Sequence, residues 1–196
     1  MTEGQVERFT VWSNRVVGAI GLVVVAVFAL LGLTGIGGDY HPVAYLVCAL
    51  IALLVWVAVL RPTVAIDGDR LVLRNPLSTV RIPLAAIEQV AIRQWLAVRA
   101  GDRRYTNAGI SRTRRQGVRD DQRGEVTAQE LGQLSYGAIV ERRIDKLAED
   151  ARNRQGIKLY SDEQLALAAD VRRDWAWPEI AALVVLTLAI VLALLA

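Results

Sequence analysis

Apolar residues run unbroken in three stretches of the chain; elsewhere they alternate or recur at helical spacing. Val16 to Ile36 is 21 residues without a charge, Val43 to Leu60 is 18 more, and Ile180 to Ala196 is 17. At about 1.5 Å per residue, helices of these lengths approach or match the roughly 30 Å hydrocarbon core of a bilayer. The pattern predicts a two-helix transmembrane hairpin, 16–36 and 43–60, and a third span over 178–196. Pro178 and Glu179 suit the first turn of that span: proline loses no needed amide there, and glutamate meets the positive end of the helix dipole. Trp12, Tyr40, Tyr45, Trp56, Trp175 and Trp177 mark the ends of the runs, where amphipathic rings prefer the headgroup zone. The first run is too long for a cleaved signal peptide, and no small-x-small site follows it.

Between Arg61 and Trp177 the periodicity changes. Thr63–Ile66, Arg70–Arg74 and Thr79–Ile82 read as short strands, separated by Asp67-Gly68-Asp69 and by Asn75-Pro76. Ile87, Val90, Ile92, Leu96 and Val98 mark one long bent strand or a hairpin. Ala100–Arg103 is a turn, and Arg104–Ala108 a final strand. Alternation on Arg70–Arg74 places Leu71 and Leu73 on a core face and Arg70, Val72 and Arg74 on the other. Residues 61–111 therefore form a small antiparallel β domain. A polar, basic loop follows over 112–126, then a helical region over 127–177. Thr127 and Glu130 make a capping box, and Ser161 with Gln164 a second. Val140, Ile144, Leu147 and Ala151 share one helical face. Gly132 and Gly137 weaken the first turns and allow a break into two helices, and Gly156 suits a stop. The second helix is expected to continue from Leu165 through Trp175.

Charge sets the orientation. The segment 61–177 holds 21 of the 23 Lys and Arg against 16 Asp and Glu, a net of +5. The short loop Gly37–Pro42 has no basic residue and carries Asp39, whereas Arg8 and Arg15 precede the first span. By the positive-inside rule, the tail 1–15 and the segment 61–177 are expected in the cytoplasm, and the loop and the C-terminus outside. Three spans satisfy that parity. The chain carries a single cysteine, Cys48, within the second apolar run, which excludes a disulfide-stapled secreted domain.

The text RPTVAIDGDRLVLRNPLSTVRIPLAAIEQVAIRQWLAVRAGDRRYTNAGISRTRR, Arg61 to Arg115, resembles the bacterial PH-like domains of actinobacterial membrane proteins. It carries the Asp-Gly turn, the Leu-x-Leu-Arg-Asn-Pro strand end, the Ile-Pro-x-x-x-Ile step and the Gly-Asp-Arg-x-Tyr hairpin. Two spans followed by such a domain are similar to the low-molecular-weight antigen type of that group. The resemblance implies a bent antiparallel sheet capped by a helix, here supplied from 127–155. It also implies residence in a bacterial inner membrane. The fold class expected is thus a membrane α+β protein: three transmembrane helices, a cytoplasmic PH-like β domain and a helical appendage.

Candidate chemistry is sparse. The first hairpin turn is acidic, Asp67-Gly68-Asp69, where inositol-phosphate-binding PH domains carry Lys and Arg, so that activity is not carried over. The lone histidine, His41, beside Pro42, reads as a solvated loop residue, and Cys48 as a packing residue. Asp120-Asp121, inside an arginine-rich loop, reads as charge balance rather than a cation site. No cofactor, metal or catalytic group is expected. Arg112, Arg114, Arg115, Arg119 and Arg123 cluster in twelve positions. They suit anionic headgroups, a protein partner, or a solvated loop that only enforces topology. Nucleic acid is a poor fit and is not expected as a partner, since no aromatics interleave with the arginines. The expected function is a non-enzymatic membrane adaptor whose partners are the lipid bilayer and a protein or a second copy of the chain. The alternative is an accessory subunit of a larger membrane complex of transport, respiration or envelope assembly.

Overall fold

A computed structural model describes residues 6–10, 12–36, 38, 40–113 and 135–195. The chain is α+β and divides into two compact units, one of 1–10, 63–75 and 79–174, the other of 11–62, 76–78 and 175–196.

The second unit holds the apolar helices: α1 (Trp12–Thr34), α2 (Pro42–Val55), prolonged by a π turn over Trp56–Leu60, and α5 (Trp177–Leu195). All three are long and apolar enough to cross a membrane. α2 packs against both α1 and α5. The hairpin closes through glycine: a Cβ at Gly18 would lie 2.7 Å from Cγ of Leu60, and one at Gly32 would collide with the Tyr40 ring. These two glycines are therefore spent on contact within the hairpin, which their spacing alone leaves open. His41 is the N-cap of α2, its Nδ1 accepting the Val43 amide at 3.3 Å, with Pro42 in the first turn. It is a capping residue rather than merely a solvated one. Nε of Arg61 donates to Glu179 at 2.9 Å, and its Nη1 donates to the Pro76 carbonyl at 2.8 Å, so the end of the α2 stretch is tied to the first turn of α5.

The first unit is built from two antiparallel sheets. One runs in the order β1 (Glu7–Phe9), β2 (Thr63–Asp67), β3 (Arg70–Arg74), β4 (Ser78–Pro83), β8 (Arg172–Trp175); the other is β5 (Gln89–Ile92), β6 (Leu96–Ala100), β7 (Arg103–Asn107). Val64 faces Leu73, which faces Val80, and Ile66 faces Leu71, which faces Ile82; all of these are buried. With Leu84, Ile87, Ile92, Leu96, Val98, Ile110 and Ile144 they form the core. Val72 is buried too, so the outer face of β3 is not wholly polar. The choice between one bent strand and a hairpin at 87–98 resolves as the hairpin β5–β6.

Two strands depart from expectation. The tail contributes β1, paired with β2 through Arg8 opposite Ala65, so the first strand of the sheet precedes the helical hairpin. The second appendage helix, α4 (Asp162–Ala168), ends early, and Arg172–Trp175 is β8 rather than helix. Asp170 explains the stop: it accepts from Arg70 at 2.6 Å, fixing the turn after α4 against β3, and Asp174 pairs with Arg81 on β4. That guanidinium bond, with Arg70 the nearest charge, holds the Asp170 carboxyl below the usual aspartate range.

α3 (Tyr136–Gln155) is one unbroken helix through Gly137. It is capped by Ser135, whose Oγ accepts the Ala138 amide at 3.3 Å, and stops at Gly156. The Thr127–Glu130 box lies outside the described residues. The buried face of α3 is Val140, Ile144, Ala148 and Ala151, with Ala148 taking the position expected for Leu147. This face packs on β5 and on the 3₁₀ turn Leu84–Ala86.

Candidate functional site

Two regions of the β unit bring polar side chains together, and Arg112, one of the sequence-predicted arginines, lies in the first. Arg112 follows β7 and turns inward. Its Nε donates to Ser135 Oγ at 3.1 Å, and its Nη1 to the Ile92 carbonyl at 3.3 Å and to Glu141 at 3.2 Å; the residue is only 9% exposed. It is an internal tie between β5 and the start of α3, and Gly137 allows the approach of its stem. Arg114, Arg115, Arg119 and Arg123 lie outside the described residues, as do Asp120 and Asp121.

Glu141 and Asp145 stand one turn apart on α3, over the free edge of β5. Glu141 accepts the outward Ile92 amide at 3.3 Å, Asp145 accepts that of Val90, and Arg152 donates to the Ile87 carbonyl at 2.6 Å. The helix thus supplies the hydrogen bonds that a further strand would have made, and β5 is closed to edge pairing. Desolvation against the sheet, reinforced by the Glu141 charge, raises the Asp145 carboxyl to about 6; Arg152 and the Val90 amide oppose that shift. Side-chain oxygens at i and i+4 beside a strand were the available signal, but the sequence gives no way to know which strand edge the helix meets.

The second surface lies at the other side of the three-stranded sheet. Gly101, at φ 58, makes the tight turn between β6 and β7. A Cβ there would lie 3.1 Å from both Leu165 and Ala168, so glycine also lets α4 approach the turn. Between the two is an open cleft of about 380 Å³, lined by Arg103, Tyr105, Leu165, Ala168 and Val171 among others. Gln164 holds α4 in place. Ser161 caps the helix by accepting the Gln164 amide at 3.3 Å, but the Gln164 side chain does not complete the expected box. It is buried, donating to the Ala85 and Ile87 carbonyls at 3.1 and 3.2 Å and accepting the Tyr160 amide at 2.7 Å. That last bond fixes Tyr160 at φ 61, leaving its ring exposed beside Leu159 and Leu165.

Among the described residues no group of three or more His, Cys, Asp or Glu could hold a metal ion. Cys48 is a free, buried thiol in α2. No protein-family model, no curated protein and no solved structure matches the chain.

Proposed function

We propose that this chain is a non-enzymatic adaptor, anchored in a bacterial inner membrane by its three apolar helices. Its PH-like β unit faces the cytoplasm and binds a protein partner or a second copy of itself. The observation that carries this reading is the strand arrangement. Strands β1 to β4, joined at the end by β8, make one sheet, β5 to β7 make another, and α3 packs on the edge of the second. Antiparallel strands with a helix packed on them are what the resemblance implies for a PH-like unit; the strand β1, which precedes the helical hairpin, adds to it. The basic excess of 61–177 supports a cytoplasmic face. A cleft beside an end strand suits recognition of an extended segment.

The alternative, an accessory subunit of a larger membrane complex, draws on α5, none of whose described residues is buried. Apart from the side that meets α2, such a helix has its circumference available to lipid or to partner helices. Purification of the full chain in mild detergent separates the two. A protein that co-purifies in stoichiometric amount, and is lost when the β unit alone is disrupted, supports the adaptor. One that stays bound until α5 is exchanged for an unrelated apolar helix supports the accessory subunit.

A further inference from the structure

We infer that the outer edge of β7 is a docking strand for an extended protein segment of alternating acidic and aliphatic residues. This rests on the adaptor reading and specifies where, and to what chemistry, the partner binds.

The edges of the two sheets are not equivalent. β5 is closed by Glu141, Asp145 and Arg152. β1 lies by Arg143 of α3, which donates to Glu7 at 3.1 Å. β8 and β7 are the other two end strands, and β7 is tied at Asn107, whose Nδ2 donates to the Arg74 carbonyl at 2.7 Å. Ala100 pairs with Arg103 across the two-residue turn, Arg99 with Arg104, Val98 with Tyr105 and Ala97 with Thr106. In that register the main-chain groups of Arg103 and Tyr105 point to β6, and those of Arg104 and Thr106 point away from it. Among the described residues no backbone bond outside the sheet reaches either outward amide.

The side chains give the edge a chemical preference. Alternation puts Arg104 and Thr106 on the outer face, both exposed, and Arg103 and Tyr105 on the face that lines the cleft. Neither Arg103 nor Arg104 has a carboxylate partner among the described residues, whereas Arg99 on β6 pairs with Glu88 at 3.3 Å. An added strand would lay alternate side chains on the same two faces. Those beside Arg104 would meet an unneutralised guanidinium and favour carboxylates. Those on the other face would enter the cleft, whose Tyr105, Leu165, Ala168 and Val171 favour aliphatics and whose Arg103 and Asp102 add one charge of each sign. Main-chain bonds then supply affinity and the alternate side chains specificity. Both terminal regions of a partner and internal loops can present such a segment.

The test uses the full chain in detergent micelles and a fluorescein-labelled peptide, acetyl-Glu-Val-Glu-Leu-Glu-Val-amide, with its Glu-to-Lys counterpart as control. The acidic peptide should bind and the lysine version should not. Thr106→Pro removes one outward amide without touching the β6–β7 ladder, and Arg104→Glu reverses the charge; each should weaken binding about tenfold or more, at unchanged thermal stability. Equal binding of both peptides, no binding of either, or indifference to Thr106→Pro overturns the inference. A photocrosslinking residue placed at position 106 and, separately, at Arg142 on α3 distinguishes this failure from that of the adaptor reading. A partner captured only from position 142 leaves an adaptor that docks elsewhere, and one captured from neither removes both.

Discussion

Arg112→Met separates an internal tie from a surface contact. The guanidinium donates to Ser135, to the Ile92 carbonyl and to Glu141, and the backbone amide donates to the Arg93 carbonyl at 2.9 Å. The methionine stem replaces the packing of the arginine stem but leaves Glu141 without its cation. Removing one partner of a fully buried ion pair costs about 3–5 kcal/mol. Glu141 keeps 24% of its side chain exposed and still accepts from Ile92, so the expected loss is nearer 2–3 kcal/mol. Because the pair joins α3 to β5, the loss should appear first as faster hydrogen exchange at the Val90 and Ile92 amides, and then as a lower unfolding midpoint of the full chain in detergent. Arg112→Met with Glu141→Leu should recover most of the loss, since an apolar pair replaces the ionic one. Arg104→Gln, at an exposed arginine with no carboxylate partner among the described residues, should stay within about 0.5 kcal/mol of wild type. An Arg112→Met chain with wild-type exchange and midpoint refutes the internal tie and returns Arg112 to the surface.

Asp145→Asn should stabilise the β unit by about 1 kcal/mol at pH 7.5, after allowance for solvent at this partly exposed group. The folded carboxyl binds its proton near 6 and the unfolded one near 3.8, so wild type should gain stability as pH falls from 7 towards 4 while the variant shows less of that slope; parallel curves would remove the burial argument. Leu73→Asp should unfold the unit at a cost of several kcal/mol, Leu73 being fully buried, while Arg74→Asp stays mild, as read by circular dichroism; equal damage would defeat the strand assignment. Gly32→Leu should cost about 1–3 kcal/mol in thermal stability by driving apart the α1–α2 hairpin at Tyr40, whereas Gly21→Ala, whose Cβ would make only ordinary contact with Val55 at 3.4 Å, should leave the packing intact.

Much of this architecture was legible in the chain because its signals are local. Uncharged runs mark the apolar helices, and Leu71 and Leu73 alternate with Arg70 and Arg74. Gly101 and Gly156 sit where the turn and the helix stop are found. What was hidden depends on distant partners. Glu7-Arg8-Phe9 is too short to read as a strand until β2 offers an edge. Arg172–Trp175 continues a helical pattern, and it becomes a strand because Arg70 and Arg81 hold Asp170 and Asp174 against the sheet. The same limit applies to the site. A basic cluster is visible as composition, but the burial of Arg112 follows from Glu141, 29 positions away. The chemistry of β7 depended on learning that α3 closes β5 and leaves β7 open.

A partner in the cytoplasm requires the β unit to lie there, and impermeant thiol labelling reads this directly. In a Cys48→Ala background, single cysteines at Arg8, Gly38 and Arg104 are exposed to a membrane-impermeant maleimide in right-side-out and inside-out vesicles. Arg8→Cys and Arg104→Cys should label only in inside-out vesicles, because β1 and β7 belong to one unit, and Gly38→Cys only in right-side-out ones. Labelling of Arg8→Cys and Arg104→Cys from opposite sides would contradict the pairing of β1 with β2, and labelling of both from outside would contradict the cytoplasmic placement.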